Sequence, residues 1–398
     1  MPHDRCRRAM ALAAVAAVPA LVLAPPAAAD GAPVSLPPLR LRMAADDTCA
    51  TASATSAELR PWTHRALQLS RSWQLSRGGG VTVAVIDTGV SARTPALKGR
   101  VTAVDGAGED CVGHGTFAAG LIAAAATGTG AVTGVAPGAT VLALRGTDAR
   151  GNPSAARIAA GIRAAADRGA GVIYVGQVVS GSGGSGGDGG DVADAAAYAR
   201  GKDALVVAPA APDVAPEGAD GKPDTRPRAY WPAHVPSVVS VVDHGPAGTR
   251  PEAAPGALDP DLSAPGDAVV GVGVEGAGHF IGSGSSLAAA HVAGAAALLR
   301  SYLPGLSAAE VARRLQETAY PDSIPRLDAY AGLTAVLPTV RARAEARPEP
   351  ARIPHTTADG TRGRALMVGG AALGVALLIG AAMVLVPLGR ARRWRPAQ

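Results

Sequence analysis

Residues 81–90 read VTVAVIDTGV. An almost unbroken run of apolar, mostly β-branched side chains is the pattern of a parallel strand covered on both faces. The run stops at Asp87-Thr88-Gly89, so a carboxylate arrives at the strand's C-terminal end. That is the edge at which open α/β sheets bind ligands. Outward from this strand, short apolar runs alternate with helical patterns. HGTFAAGLIAAAA (114–126) predicts a helix, ATVLALRG (139–146) a strand and SAARIAAGIRAAADRG (154–169) an amphipathic helix. AGVIYVGQVV, DALVVAPA and VPSVVSVVD predict strands, separated by the helix DVADAAAYARGK. SSLAAAHVAGAAALLRSYL (285–303) and SAAEVARRLQETA (307–319) predict the last helices of the body. Strand–helix alternation of this kind predicts an α/β fold, a mostly parallel sheet between two helical layers.

The flanks differ from this body. Residues 1–29 carry Arg5, Arg7 and Arg8, then an apolar stretch, then Ala27-Ala28-Ala29 before Asp30, the plan of a secretory signal peptide. Residues 30–60 are rich in Pro, Ala and Asp without periodicity, and are expected to form an extended arm ahead of a body at 61–338. Residues 339–364 are rich in Pro and Arg and predict a linker. Residues 365–389 hold no charge and are long enough for one transmembrane helix. The tail 390–398, with Arg390, Arg392, Arg393 and Arg395, is expected on the cytoplasmic side. The chain has a net charge of +5, with much of its arginine near the two ends, which argues for targeting and anchoring and against nucleic-acid binding. Cys6 leaves with the signal peptide; Cys49 and Cys111 remain, an even pair in an oxidising compartment, and are expected to form a disulfide.

Three residues stand where serine hydrolysis would need them. Attack by a hydroxyl on a carbonyl requires a base, and the base requires a carboxylate to fix its tautomer. Asp87 closes the apolar strand, His114 lies between glycines at a helix start, and Ser286 opens the helix in GSSLAAAHVAG. A helix start offers backbone N–H groups to a developing oxyanion. Asp105 and Asp110 compete with Asp87 only weakly, since neither follows an apolar strand, and His291 reads as a packing residue. The G-x-S-x-G at 183–187 lies in a glycine–serine run without apolar context. No Cys or His pair has metal-ligand spacing, and no cofactor is expected.

VAVIDTGV, GHGT and GSSLAAAHVAG resemble the three active-site blocks of the subtilisin-like serine proteases, with GVAPGATVLALR and DLSAPG as further matching blocks. The resemblance spans residues 62–337. It implies a three-layer αβα body and assigns Asp87, His114 and Ser286 as the catalytic triad. A narrower resemblance is to the mycosins, the membrane-anchored subtilases of actinobacterial type VII secretion. It rests on the short cysteine-bearing arm, PWTHRALQLSRSWQLSRGGG ahead of the first block, Cys111 just before VGHGT, the linker and the single C-terminal span. This implies a membrane-anchored endopeptidase cutting exported protein, with the secretion complex as partner. The alternative is a catalytically weak subunit with a structural role there. The chain departs from the family where an Asn normally donates to the oxyanion: the corresponding stretch is Pro209-Ala210-Ala211-Pro212-Asp213. Ionised Asp cannot donate, so slow turnover is expected; turnover as fast as in ordinary subtilases would instead point to Gln177 or a neighbouring backbone amide as the donor. YVGQVVSG also replaces the usual substrate-binding strand, and Ala290 stands for a usual Pro.

Overall fold

The computed structural model describes residues 35–126, 132–181, 188–337 and 359–392. The expected signal peptide, nearly all of the expected linker, most of the basic tail and the motif at 183–187 lie outside these residues. The chain divides into two units, Met1–Val336 and Leu337–Gln398.

The first unit is built on seven parallel strands. They are β1 (Thr82–Asp87), β2 (Val101–Ala103), β3 (Thr140–Arg145), β4 (Val172–Val175), β5 (Leu205–Pro209), β6 (Val238–His244) and β7 (Leu262–Pro265). Their spatial order is β2-β3-β1-β4-β5-β6-β7. The chain runs to one side of β1 first, through β2 and β3, and then crosses to β4 on the other. β1 is therefore the switch point of the sheet, and a crevice opens at its C-terminal end. Asp87 is its last residue and pairs in register with Arg145 of β3.

Alternation along β1 divides the core. Val83 and Val85 face one helical layer, with α3 (His114–Ala123) and α6 (Ser285–Tyr302). Ala84 and Ile86 face the other, with α4 (Ala155–Asp167) and α5 (Asp188–Gly201). Successive strand side chains point to opposite faces, so a strand sandwiched by helices has to be apolar throughout. α6 is buried from Ser285 through Leu299. A helix covered all round needs no polar stripe, and its alanines let the sheet, α3 and the neighbouring loops approach closely. His291 packs inside it, its Nδ1 hydrogen-bonded to the Leu287 carbonyl at 3.0 Å.

Several elements were not apparent in the sequence. Two short helices, α1 (Trp62–Ala66) and α2 (Leu69–Ser72), precede β1. An antiparallel pair, β8 (Val269–Val272) and β9 (His279–Gly282), follows β7. Of the helices that close the unit, α7 (Ala308–Glu317), with a Ser307–Glu310 capping box, falls within the expected helix 307–319, and the short α8 (Ala329–Thr334) was not apparent. The expected arm lies extended against the body. Leu39 N–H donates to the Ile281 carbonyl at 2.7 Å and Ile281 N–H to Pro37 at 3.0 Å, so the arm adds a short third strand beside β9. Further on, Ala50 N–H bonds the Cys111 carbonyl and a disulfide joins Cys49 to Cys111.

In the second unit, α9 (Asp359–Ala391) contains a 29-residue apolar stretch, Gly363–Ala391, within which an 18-residue window has mean hydropathy 2.5. At 1.5 Å per residue it is long enough to cross a hydrocarbon core of about 30 Å. It extends past both ends of the expected 365–389 span. Pro387 lies within its last turns.

Burial gives the fold an acid limit. Desolvation holds the His291 imidazole at about 4 and the His244 imidazole also at about 4. Below the ordinary histidine value near 6.5 the unfolded chain takes up protons that these folded positions refuse, so stability falls as pH drops from about 6.5 towards 4. Denaturant titrations of the detergent-solubilised protein should show this decline. His291→Gln should flatten it by up to about 3 kcal/mol at the acid end.

Candidate active site

The three sequence-assigned residues meet at the C-terminal edge of β1. His114 Nδ1–H donates to both Asp87 carboxylate oxygens, at 2.9 and 2.8 Å. On the other side of the ring, Nε2 lies 3.0 Å from Ser286 Oγ. Asp87 and His114 are 0% exposed and Ser286 1%, so water does not compete for these bonds. The close approach depends on glycine. A Cβ on Gly115 would lie 2.1 Å from the Gly89 carbonyl oxygen, so the turn after β1 and the start of α3 nest only without a side chain there.

A second carboxylate holds these loops together. Asp110 is buried and accepts four hydrogen bonds: Thr88 Oγ1 at 2.8 Å, Gly113 N–H at 2.8 Å, Thr116 N–H at 2.8 Å and Thr116 Oγ1 at 2.7 Å. Thr88 Oγ1 in turn accepts from Gly115 N–H at 2.9 Å. Thus Asp110 ties the residue after Asp87 to the helix that begins with His114. Burial raises its carboxyl above the ordinary value, in spite of the four donors. Its role is bracing; in the sequence it stood out only as a weak competitor of Asp87, four residues ahead of His114.

Asp213 lies against the nucleophile position. Its Oδ1 accepts the Ser286 N–H at 2.8 Å, and its Oδ2 accepts the Ser286 hydroxyl at 2.6 Å. Oδ2 is also 3.3 Å from His114 Nε2. The carboxyl is seated on the backbone at the start of α6, where a Cβ on Gly284 would lie 2.2 Å from it. The carboxyl thus takes up both the N–H and the hydroxyl of Ser286. Gln177, the candidate donor should turnover prove fast, is elsewhere: its amide nitrogen is 3.5 Å from His114 Nδ1, on the Asp87 edge of the ring. The residue after β5, not the one after β4, reaches Ser286.

Burial by itself would lower the His114 imidazole. The Asp87 charge, the hydrogen bonds to Asp213 and Asp87 and the Asp213 charge outweigh it and hold the ring well above its ordinary value. Tyr174, the one polar residue of β4, sends a fully buried hydroxyl into the same cluster. Burial raises it well above the usual phenol range, and the Asp87 and Asp213 charges add to this. Ser285 Oγ donates to Asp243 at 2.8 Å, and Arg250 closes that pair at 3.0 Å.

A cavity of about 460 Å³ opens beside Asp213, lined by Gln177, Val178 and Pro212 and, from the arm, Leu41 and Arg42. A larger one, about 580 Å³, lies beneath the arm around Cys49 and Phe280 and includes none of the three assigned residues. No cluster of His, Cys, Asp and Glu suited to a metal ion occurs among the described residues.

Removing the Asp110 carboxylate leaves the buried Gly113 and Thr116 N–H groups without their acceptor, at about 1–2 kcal/mol each. Asp110→Ala should therefore lower unfolding free energy by about 2–4 kcal/mol in denaturant titration. An unchanged midpoint would show that the brace carries no stability.

The subtilase family model, Peptidase_S8, matches residues 78–352. Mycosin-3 of Mycobacterium tuberculosis is 33% identical over 387 residues, covering 82% of this chain and 83% of the relative. The solved structure of the MycP3 protease from the type VII (ESX-3) secretion system is 31% identical with a TM-score of 0.61, over 76% of this chain and 96% of that one. A chain of the intact ESX-5 inner membrane complex is 26% identical with a TM-score of 0.62, over 87% of this chain and 97% of that one. The chain belongs to the subtilase family of serine endopeptidases and is mycosin-like within it.

Proposed function

We propose that the protein is a membrane-anchored endopeptidase in which Ser286 is the nucleophile, His114 the general base and Asp87 the group that orients and stabilises the imidazole. The hydrogen-bonded line Asp87–His114–Ser286, buried at the switch point of the sheet, is the observation that carries this reading. Ser286 Oγ attacks the peptide carbonyl and passes its proton to His114 Nε2. The imidazolium returns that proton to the leaving amine, and water then releases the acyl group by the same route. The Ser286 N–H at the start of α6 supplies one oxyanion donor. The substrate is an extended peptide in the cavity beside Gln177, Val178 and the arm residues Leu41 and Arg42.

The apolar helix, the expected signal peptide and the basic tail support a body outside the cytoplasmic membrane with a cytoplasmic C-terminus. The likeness to proteins of type VII secretion complexes supports work on exported protein beside such a complex. A second reading, a subunit with a structural role and little turnover, draws on Asp213, whose carboxylate occupies the Ser286 N–H.

A fluorophosphonate probe separates the two. Under the protease reading it labels the wild type at Ser286 and leaves Ser286→Ala unlabelled. Peptide cleavage should run about 10²–10³ slower than in a subtilase with both oxyanion donors. Absence of label at every pH would favour the structural subunit. For topology, protease added to intact cells should remove the body and spare a tag at Gln398; loss of the tag would reverse the orientation.

A further inference from the structure

We propose that Asp213 and His114 hold a single proton between them across the Ser286 hydroxyl, and that Asp213, when it carries that proton, is the second oxyanion donor. This deepens the protease reading and rests on it. The three groups form one continuous path: His114 Nε2 to Ser286 Oγ at 3.0 Å, and Ser286 Oγ to Asp213 Oδ2 at 2.6 Å. The side chain of His114 is 0% exposed and that of Asp213 8% exposed. In so dry a site an uncompensated charge on the pair is costly, whereas one shared proton leaves either an ion pair or two neutral groups.

The charged and titratable groups facing Asp213 favour the ion pair at rest. His114 comes from α3, and Asp87 from β1 lies behind the imidazole. Tyr174 of β4 is within electrostatic reach. Arg42 of the arm and Tyr230 share the cavity wall with Asp213. The start of α6 presents the Ser286 N–H to Oδ1, and a helix N-terminus favours an anion. In this resting arrangement the base is already protonated, the Ser286 hydroxyl donates to Asp213, and the oxyanion position is filled.

Activation needs only an internal proton shift. The His114 Nε2 proton passes to Ser286 Oγ as the Ser286 hydroxyl proton passes to Asp213 Oδ2. One N–H bond breaks, one O–H bond forms, and net charge is unchanged. The carboxyl, now neutral, rotates off the Ser286 N–H and admits the substrate carbonyl. As the Oγ–carbon bond forms, the serine proton moves to the neutral imidazole and the carbonyl π pair moves to oxygen. That oxygen is then met by the Ser286 N–H and by the Asp213 O–H.

The competent form belongs to the one-proton state of the pair. With no proton, Asp213 is an anion in the oxyanion position; with two, the base is gone. The rate therefore has an acid limb and an alkaline limb, and between them a plateau set by the minority tautomer. An amide in place of Asp213 donates at every pH and removes one of the two carboxylates, Asp87 and Asp213, that raise His114.

The test is kcat/KM for peptide cleavage by the detergent-solubilised full chain from about pH 5 to 10, with fluorophosphonate labelling in parallel. Wild type should give a bell. Asp213→Asn should lose the alkaline limb, move its acid limb to lower pH, and gain at least about tenfold on the alkaline side. Asp213→Ala, the second variant should the first misfold, should also lose the alkaline limb at a rate below that of the amide. An alkaline plateau in wild type, or an alkaline limb common to wild type and both variants, overturns the shared proton while labelling at Ser286 keeps the protease reading. If no form labels at any pH, both fall together.

Discussion

A buried carboxylate at the end of the central strand sets the terms for the rest of this molecule. Asp87 has no water to solvate it, so its charge has to be met by hydrogen bonds and by His114. The sheet supplies the position, because β1 is where the strand order turns and the crevice opens. Backbone approach without side chains at Gly89 and Gly115 brings the helix start to it. Asp110 and the Cys49–Cys111 disulfide then fix the segment between the two, one from inside and one from the arm. α6, buried on nearly all sides, brings Ser286 up to the opposite edge of the imidazole.

Asp213 adds a constraint of the opposite sense. An oxyanion site works by holding donors where negative charge develops. Here an anion is already held there, at 2.8 Å from the Ser286 N–H. Together with Asp87, the same carboxylate raises the His114 imidazole, so under the proposed mechanism the occupied Ser286 N–H and a protonated imidazole are two aspects of one arrangement. Under the proposal, a proton shift and rotation of the neutral carboxyl off the Ser286 N–H reverse both.

Much of the fold was legible because parallel strands buried on both faces leave a dense apolar signature, as in residues 81–87 and 238–242. Asp87, His114 and Ser286 could be singled out because each stands at an element boundary beside glycine. The β8–β9 pair was not legible: four-residue strands interrupted by Gly271 and Gly282 carry no usable period. Nor was the docking of the arm on Ile281, which is made by backbone groups that leave no mark in side-chain pattern. Asp213 was visible as a missing Asn, but its contact lies 73 residues from Ser286 along the chain, and only the folded sheet shows that it grips the serine. The buried Tyr174 hydroxyl and the Asp110 brace are likewise products of tertiary packing, with local sequence that reads as strand and loop.

The protonation state of His114 at rest tests this account most directly. Ring ¹⁵N chemical shifts of His114 in the full chain, followed with pH, distinguish imidazolium from neutral imidazole. His114 should remain an imidazolium above the ordinary histidine range in the wild type, and be neutral imidazole at the same pH in Asp213→Asn. A wild-type His114 that is already neutral just above the ordinary histidine range would exclude the shared proton.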